Sequence, residues 1–185
     1  MRIGIAALLG AIVLFVWGFV SHMVLPIGMM GFHAPKNEDV VLQAAAANLP
    51  PPGVYAMPYI DPNKMNDETV AKAWTEKEKT SPFVFAVVAP PDPNAGGMGR
   101  QLGLQFLSNL LAALIVAWLL AATAWTLATR AIAASAFGIF GWLVVAVPQW
   151  NWYRFPMDFT TGILLDLAIG WLLAGFAIAW WLGRR

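Results

Sequence analysis

Uncharged, apolar residues occupy four long runs of the chain, and polar residues are concentrated between them. The runs extend over residues 3–24, 102–127, 131–147 and 159–182. About 20 mostly apolar residues form a helix that crosses the roughly 30 Å hydrocarbon core of a bilayer. The pattern therefore predicts four membrane-spanning helices. One helix through the second and third runs would be far too long, so we expect the chain to turn at Arg130.

The first run begins directly after Arg2 and is similar in this respect to a secretory signal peptide. It is longer than the roughly 7–15 apolar residues of such a peptide, and the sequence VSHMVLP at its end offers no small-residue cleavage site. We therefore expect an uncleaved helix that anchors the chain.

Residues 34–100 have a mixed pattern of short elements. Asn37 and Asn66 each precede a helical stretch as N-caps, and the second helix is expected to extend through Lys79. The sequences GVYAMPYI and PFVFAVVA are typical of short strands. Two strands that flank one helix predict a small βαβ-like unit.

The predicted fold is an all-α membrane protein with four transmembrane helices and a small extracytoplasmic α/β-like insertion between helices 1 and 2. Residues 1–30 are expected to form the first helix and its outer end, residues 31–100 the insertion, and residues 101–185 the other three helices. An insertion of about 70 residues is marginal for an independent core, so we expect it to pack against the helices or a partner.

Composition supports the membrane class and excludes several kinds of chemistry. Of the 185 residues, 59% are hydrophobic and 11% charged, whereas soluble domains carry about 25% charged residues. The formal net charge of +1 gives no reason to expect a nucleic-acid partner. The chain has no cysteine, which excludes disulfides, thiolate metal sites and cysteine nucleophiles.

Basic residues near the ends of the spans predict the orientation. If both termini are cytoplasmic, Arg2, Arg130, Arg184 and Arg185 lie on the inner side, as the positive-inside rule requires. Aromatic residues fit interfacial belts at both surfaces: Trp150, Trp152, Tyr153 and Phe155 outside, and Trp180 and Trp181 inside.

Asp166 lies inside the fourth span, about 10 Å from its outer end. An ionisable residue in this position costs about 2.5–3.5 kcal/mol on insertion scales and nearly always faces the protein interior. His22 ends the first span, and Gln105, Ser108 and Asn109 lie in the outer half of the second. These residues predict a buried polar layer in which Asp166 hydrogen-bonds to Gln105, Ser108 or His22.

The polar layer has two readings that the sequence leaves open. It is either structural, fixing how the helices pack, or it is a proton-carrying or ligand-binding site. The inner half of the second span, which includes Ile115, Val116 and Leu119, is apolar. A monomer therefore offers no polar path to the cytoplasm.

Small residues recur at helical spacing in two spans and predict close helix packing. They are Gly4, Ala11 and Gly18 in the first span, and Gly162 and Gly170 in the fourth.

No complete motif for metal, nucleotide or covalent chemistry occurs. DPNKMND begins like a calcium loop, but Met65, Asn66 and Lys72 stand where a ligand, glycine and glutamate belong. GGMGRQ lacks the lysine and hydroxyl residue of a phosphate loop. The two histidines, His22 and His33, are poorly placed to hold haem or a metal together. We therefore expect no cofactor.

The sequence LFVWGFVSHMVLPIGMMG, the later PPPGVYAMP and the three following spans resemble a family of uncharacterised bacterial four-helix inner-membrane proteins with a periplasmic insertion. The resemblance implies a bacterial inner membrane with residues 34–100 in the periplasm. It implies no site residues, because no chemistry is assigned to these motifs.

The leading hypothesis is a non-enzymatic accessory, assembly or stabilising subunit of a larger membrane complex. Its partners are then the lipid bilayer and either another protein or further copies of the chain. The alternative is a small oligomeric transporter or proton-coupled protein that uses Asp166 and His22. An enzyme at the periplasmic face would have only Asp166, His22, Arg154 and Asp158 as candidates.

Overall fold

A computed structural model describes residues 1–184, of which most are helical. Among these residues, four helices are long and apolar enough to span a membrane, as predicted. The elements are, in chain order, α1 (Arg2–Phe19), α2 (Glu38–Asn48), β1 (Gly53–Met57), α3 (Glu68–Thr80), β2 (Val84–Val88), α4 (Gly99–Ala121), α5 (Leu127–Tyr153) and α6 (Met157–Gly183). A π-helical turn (Val20–Val24) and two 3-10 turns (Ile27–Met29 and Pro62–Lys64) complete them.

The chain divides into two compact units. One contains residues 1–32 and the chain from Gly96 onward, and the other contains His33–Ala95.

The helical unit is built around α1 and α6. Helix α1 packs against both α4 and α6, and α6 packs along α5, whereas α4 makes few contacts with α5 or α6. Small side chains let the helices approach closely. The buried core consists mainly of these residues: Ala6, Ala7 and Ala11 of α1, Ala113, Val116, Ala117 and Leu120 of α4, Ala134 of α5, and Ile178 and Leu182 of α6.

The turn between the second and third spans differs from the prediction. Helix α4 ends at Ala121 and α5 begins at Leu127, so Arg130 lies within α5. Thr126 explains this start, because its Oγ1 accepts a hydrogen bond from the Thr129 amide at 3.2 Å. The Arg130 guanidinium then reaches back and donates to the Thr123 carbonyl at 2.5 Å.

The first and last helices meet at one end of the unit. The Trp181 indole donates to the Arg2 carbonyl at 3.1 Å, and the Arg2 guanidinium donates to the carbonyls of Leu182 and Arg184. Leu120 shares a core cluster with Leu182, so the turn between α4 and α5 lies at this end too. We call it the Arg2 end, and the opposite end, where α1 finishes, the His22 end.

The insertion unit contains a two-stranded sheet. Strands β1 and β2 are antiparallel, with Gly53 opposite Val88 and Met57 opposite Val84. The predicted βαβ-like unit, whose strands would be parallel, is therefore wrong. The alternation of side chains is the same in parallel and antiparallel strands, so the pattern did not determine the direction.

One of the two helices in the insertion unit has the predicted N-cap residue, and the other does not. Asn37 caps α2 as predicted, since its Oδ1 accepts from the Val40 amide at 3.3 Å. Helix α3 is capped by Asp67 and not by Asn66, because the Asp67 carboxylate accepts from the Thr69 amide at 2.9 Å. A carboxylate also interacts favourably with the positive end of the helix dipole.

Candidate functional site

The end of α1 widens into a π-helical turn, Val20–Val24, which the Leu25 amide closes by donating to the Val20 carbonyl at 2.8 Å. Single π-turns within helices are rare, and many of those that occur lie at functional sites. Leu25 is extended, as expected of a residue before a proline, and Pro26 then turns the chain back. We call residues 25–31 the return segment.

The return segment packs against the first turns of α6 through two glycines. A Cβ atom at Gly162 of α6 would lie 2.9 Å from the Ile27 carbonyl oxygen. Gly31 has φ +80, and a Cβ atom there would lie 2.5 Å from Phe159 Cβ. Glycine is the residue that adopts this φ without strain. Both glycines are therefore needed for the segment to lie close to α6.

The His22 ring is held in one orientation by the π-turn. Its Nδ1 lies 2.9 Å from the Ser21 hydroxyl and 3.0 Å from the Gly18 carbonyl oxygen. The Gly18 carbonyl oxygen can accept from Nδ1, and it also accepts from the Ser21 hydroxyl at 3.3 Å. The ring is exposed, and in the tautomer in which Nδ1 donates to Gly18, Nε2 is a free acceptor. The ring lies against Gly28, where a Cβ atom would collide with it.

The main chain of Asp166 is hydrogen-bonded to another helix, whereas one oxygen of its side chain has no hydrogen-bond partner in residues 1–184. Its carbonyl oxygen accepts a hydrogen bond from the Trp17 indole at 3.0 Å. Its Oδ1 atom is buried and has no hydrogen-bond partner among residues 1–184. Leaving a buried polar atom unpaired costs about 1–3 kcal/mol, so such an atom calls for a specific explanation.

His22 and Asp166 line the same cavity, which has a volume of about 330 Å³. The return segment forms one wall, which includes Met30, and α6 forms the other, which includes Ile163 and Leu167. The cavity thus has an apolar lining with two side-chain acceptors, the carboxylate and the imidazole. This arrangement can hold a ligand that brings hydrogen-bond donors.

The polar residues of α4 do not belong to this cavity. The Gln105 amide donates to Asn109 Oδ1 at 3.0 Å, and Gln105 and Ser108 are exposed. The predicted hydrogen bond from Asp166 to Gln105, Ser108 or His22 is absent among the described residues, so that prediction is wrong. For Gln105 and Ser108 the reason is the helix order, since α1 packs against both α4 and α6. For His22 the Nδ1 atom contacts Ser21 and Gly18 of its own helix instead.

The predicted packing residues behave differently from one another. Ala11 is fully buried, and a Cβ atom at Gly170 would lie 2.6 Å from Trp17 Cδ1. Within the described chain, nothing lies within 4 Å of where a Cβ atom would stand at Gly4 or Gly18. The prediction of close packing is wrong for these two. The buried residues of α1 are Ala6, Ala7, Gly10 and Ala11, so Gly4 and Gly18 both lie outside the buried part of the helix along its length.

The other predicted candidates lie outside the cavity lining. Asp158 is exposed at the start of α6, where its Oδ1 accepts from the Phe159 amide at 2.8 Å. Arg154 has a left-handed backbone, with φ 55, between α5 and α6. His33 is exposed and falls in the insertion unit. In residues 1–184, no group of three or more His, Asp and Glu side chains is placed to hold a metal ion.

Sequence reasoning missed the contacts made by tryptophan and serine side chains on α6 carbonyls. Trp142 donates to the Thr160 carbonyl at 2.8 Å, and Ser135 donates to the Ala168 carbonyl at 2.8 Å. The available signal was chemical: a buried indole N–H usually finds an acceptor.

Comparison of the chain with models of protein families, with curated proteins and with solved structures found no match. The resemblance to bacterial inner-membrane proteins therefore stays a prediction, and the functional argument rests on the geometry described above.

Proposed function

We propose that the protein is a non-enzymatic integral membrane protein that acts as an accessory, assembly or stabilising subunit of a larger membrane complex. Its partner is a transmembrane helix of another protein, which packs along the α4 segment that carries Gln105, Ser108 and Asn109. The observation that carries the proposal is the exposure of Gln105 and Ser108 in a helix apolar enough to span a bilayer.

The position of these side chains supports contact with a helix. Gln105 and Asn109 lie about 9 Å and 15 Å along α4 from Gly99, well inside the span. Gln105 and Asn109 share one hydrogen bond with each other. Lipid tails offer no partners for their remaining polar groups, whereas Gln, Asn and Ser side chains commonly bond across helix interfaces.

One side of α4 is buried by other helices in the second half of the helix and is more exposed in the first half. Gln105 and Val116 are eleven residues apart, which places them within about 20° of each other around the helix, and the same holds for Asn109 and Leu120. Val116 and Leu120 are buried at the Arg2 end, with 4% and 1% of their surface exposed. Nearer the start of α4 the same side carries Gln105, which is exposed, and Asn109, which is half-buried. A partner helix would complete this side.

We propose a bacterial inner membrane as the location, with both termini cytoplasmic and residues 34–100 in the periplasm. The arrangement of the Arg2 end supports this orientation. Arg2 and Arg184 lie there together, Arg130 follows the turn at that end, and the Arg184 guanidinium lies 3.7 Å above the Trp180 ring. Basic and aromatic residues at one end of a bundle are typical of the cytoplasmic interface.

The experiment is purification of the tagged protein from its native membrane in mild detergent, followed by mass spectrometry of the bound proteins. We expect one foreign membrane protein in stoichiometric amount. A double variant, Gln105→Leu with Asn109→Leu, should lose at least about 90% of it, since the interhelical hydrogen bonds are removed. Asn151→Leu is the matched control, because Asn151 is an exposed amide at the end of α5.

A cross-link locates the contact. The chain has no cysteine, so Ser108→Cys can carry a benzophenone maleimide as the single label. Cross-linking to the co-purified protein supports the proposal. A protein that purifies only as a monomer or as copies of itself, or a foreign subunit that the double variant retains in full, contradicts it.

A second candidate is a small oligomeric transporter or proton-coupled protein, and the shared cavity of His22 and Asp166 favours it. In liposomes that contain the purified protein and a pH-sensitive dye, Asp166→Asn should abolish any protein-dependent proton flux. The carboxamide is nearly isosteric but carries no charge. Equal flux in wild type and variant contradicts this candidate.

A further inference from the structure

We propose that the cavity between the return segment and α6 binds the ammonium group of a small amphipathic organic cation. The proposal rests on the second candidate function only in using the same cavity, and it requires neither transport nor a partner at α4. Its observations are the unpaired Asp166 oxygen, the orientation of His22 and the apolar lining.

The polar groups of the cavity favour a ligand that donates hydrogen bonds. Asp166 Oδ1 is a buried acceptor without a partner in residues 1–184, and the His22 imidazole, which offers one acceptor nitrogen when neutral, lines the same cavity. Met30 adds a thioether sulfur, which is also a weak acceptor. An anion would face the carboxylate, whose like charge repels it. An ammonium group brings three donors and the charge opposite to that of the carboxylate.

The apolar lining favours a ligand whose remaining part is an apolar organic group. A volume of about 330 Å³ lies at the lower end of the range of small-molecule pockets. Phe32 and Phe159 both line the cavity, with their ring centroids 5.4 Å apart in an edge-to-face arrangement. Aromatic rings attract organic cations, and methionine adapts to varied apolar shapes. A bare inorganic cation would leave most of this space unfilled.

The test is isothermal titration calorimetry of the purified full-length protein in a non-ionic maltoside detergent. The probe is cyclohexylammonium chloride, and cyclohexanol is the neutral probe of matched shape. We expect saturable one-to-one binding of the amine. Cyclohexanol should bind at least about tenfold more weakly, because it lacks the charge-assisted hydrogen bond to the carboxylate.

Two variants and one control link binding to the cavity. Asp166→Asn should weaken amine binding at least about tenfold. Asp158→Asn is the control and should bind like the wild type, since Asp158 is an exposed carboxylate on the same helix. Ile163→Trp fills the cavity but keeps the carboxylate, so it should also lose binding. It provides the test if Asp166→Asn does not fold.

Three results would overturn the proposal: no saturable binding by the wild type, equal affinity for cyclohexanol, or wild-type affinity in either folded variant, Asp166→Asn or Ile163→Trp. Binding is measured without flux, so the second candidate function fails separately if liposomes show no protein-dependent transport while Asp166-dependent binding persists.

The same chemistry has two natural sources, a soluble amine and the ammonium headgroup of a lipid. Phosphatidylethanolamine added to the micelles should compete with cyclohexylammonium if the lipid is the source, and phosphatidylglycerol should not. Without competition by phosphatidylethanolamine, a soluble amine is the ligand. Equal competition by phosphatidylglycerol, which has no ammonium group, would count against the proposal.

Discussion

The indole Nε1 of Trp17 donates a hydrogen bond of 3.0 Å to the main-chain carbonyl oxygen of Asp166. The same ring covers Gly170, one turn further along α6. A helical carbonyl has a second lone pair, so it accepts this bond in addition to that of its own helix. Asp166 therefore joins α6 to α1 through its backbone, and its carboxylate stays available to the cavity.

Replacing Trp17 by Phe should lower the free energy of unfolding by about 1–2 kcal/mol, because the hydrogen bond and part of the packed ring are lost. The measurement is unfolding of the purified protein in mixed micelles. Trp118→Phe is the control, since 61% of the Trp118 surface is exposed. An equal effect of the two substitutions would show that the bond to α6 contributes no stability.

Adding one methyl group at Gly170 should also destabilise the unit. In Gly170→Ala the new Cβ atom would lie 2.6 Å from Trp17 Cδ1, so the helices must separate at a cost of about 1–3 kcal/mol. Gly103→Ala is the control, because nothing in the described chain lies within 4 Å of the added atom. Alanine is the better helix former, so the control should keep or raise the midpoint of thermal unfolding. A Gly170→Ala protein as stable as this control would contradict the close packing.

The four long helices could be predicted from the sequence because each needs only a sustained apolar run. That prediction does not depend on which helices pack against each other. The order in which the helices pack has no such signal. Gln105 and Asp166 lie at similar depths in apolar runs, but α1 separates their helices. Local chemistry set the turn at Thr126 and not at Arg130, because a threonine side chain can cap a helix and an arginine cannot.

The candidate site was predicted in part. The polar character of His22 and Asp166 marked both residues, and they line one cavity. The return segment that closes the cavity depends on Gly31 and Gly162, whose role follows from backbone contacts between distant parts of the chain. Periodicity along one helix carries no information about such contacts.

The proposed orientation predicts which surface a reagent can reach. Thr75→Cys places the only cysteine on an exposed position of α3, and Ala124→Cys places it in the turn between α4 and α5. In intact cells with a permeable outer membrane, a maleimide that cannot cross the inner membrane should label the first variant. The second should be labelled only after the inner membrane is opened. The reverse pattern would place both termini in the periplasm.

The unpaired carboxylate predicts an unusual gain of stability. Asp166→Leu removes a buried oxygen that has no partner in residues 1–184, and leucine suits an apolar span. The free energy of unfolding should therefore rise by about 1–3 kcal/mol, measured in mixed micelles without added amine.

Thr160→Val is the control, because it removes a buried polar group that does have a hydrogen-bond partner on the same helix. Thr160 is buried, and its hydroxyl donates to the Pro156 carbonyl at 3.0 Å, so its loss should leave stability unchanged or lower. If Asp166→Leu instead destabilises the protein by as much as a core substitution, the carboxylate holds the helices together. The structural reading of the polar layer would then replace the ligand-binding one.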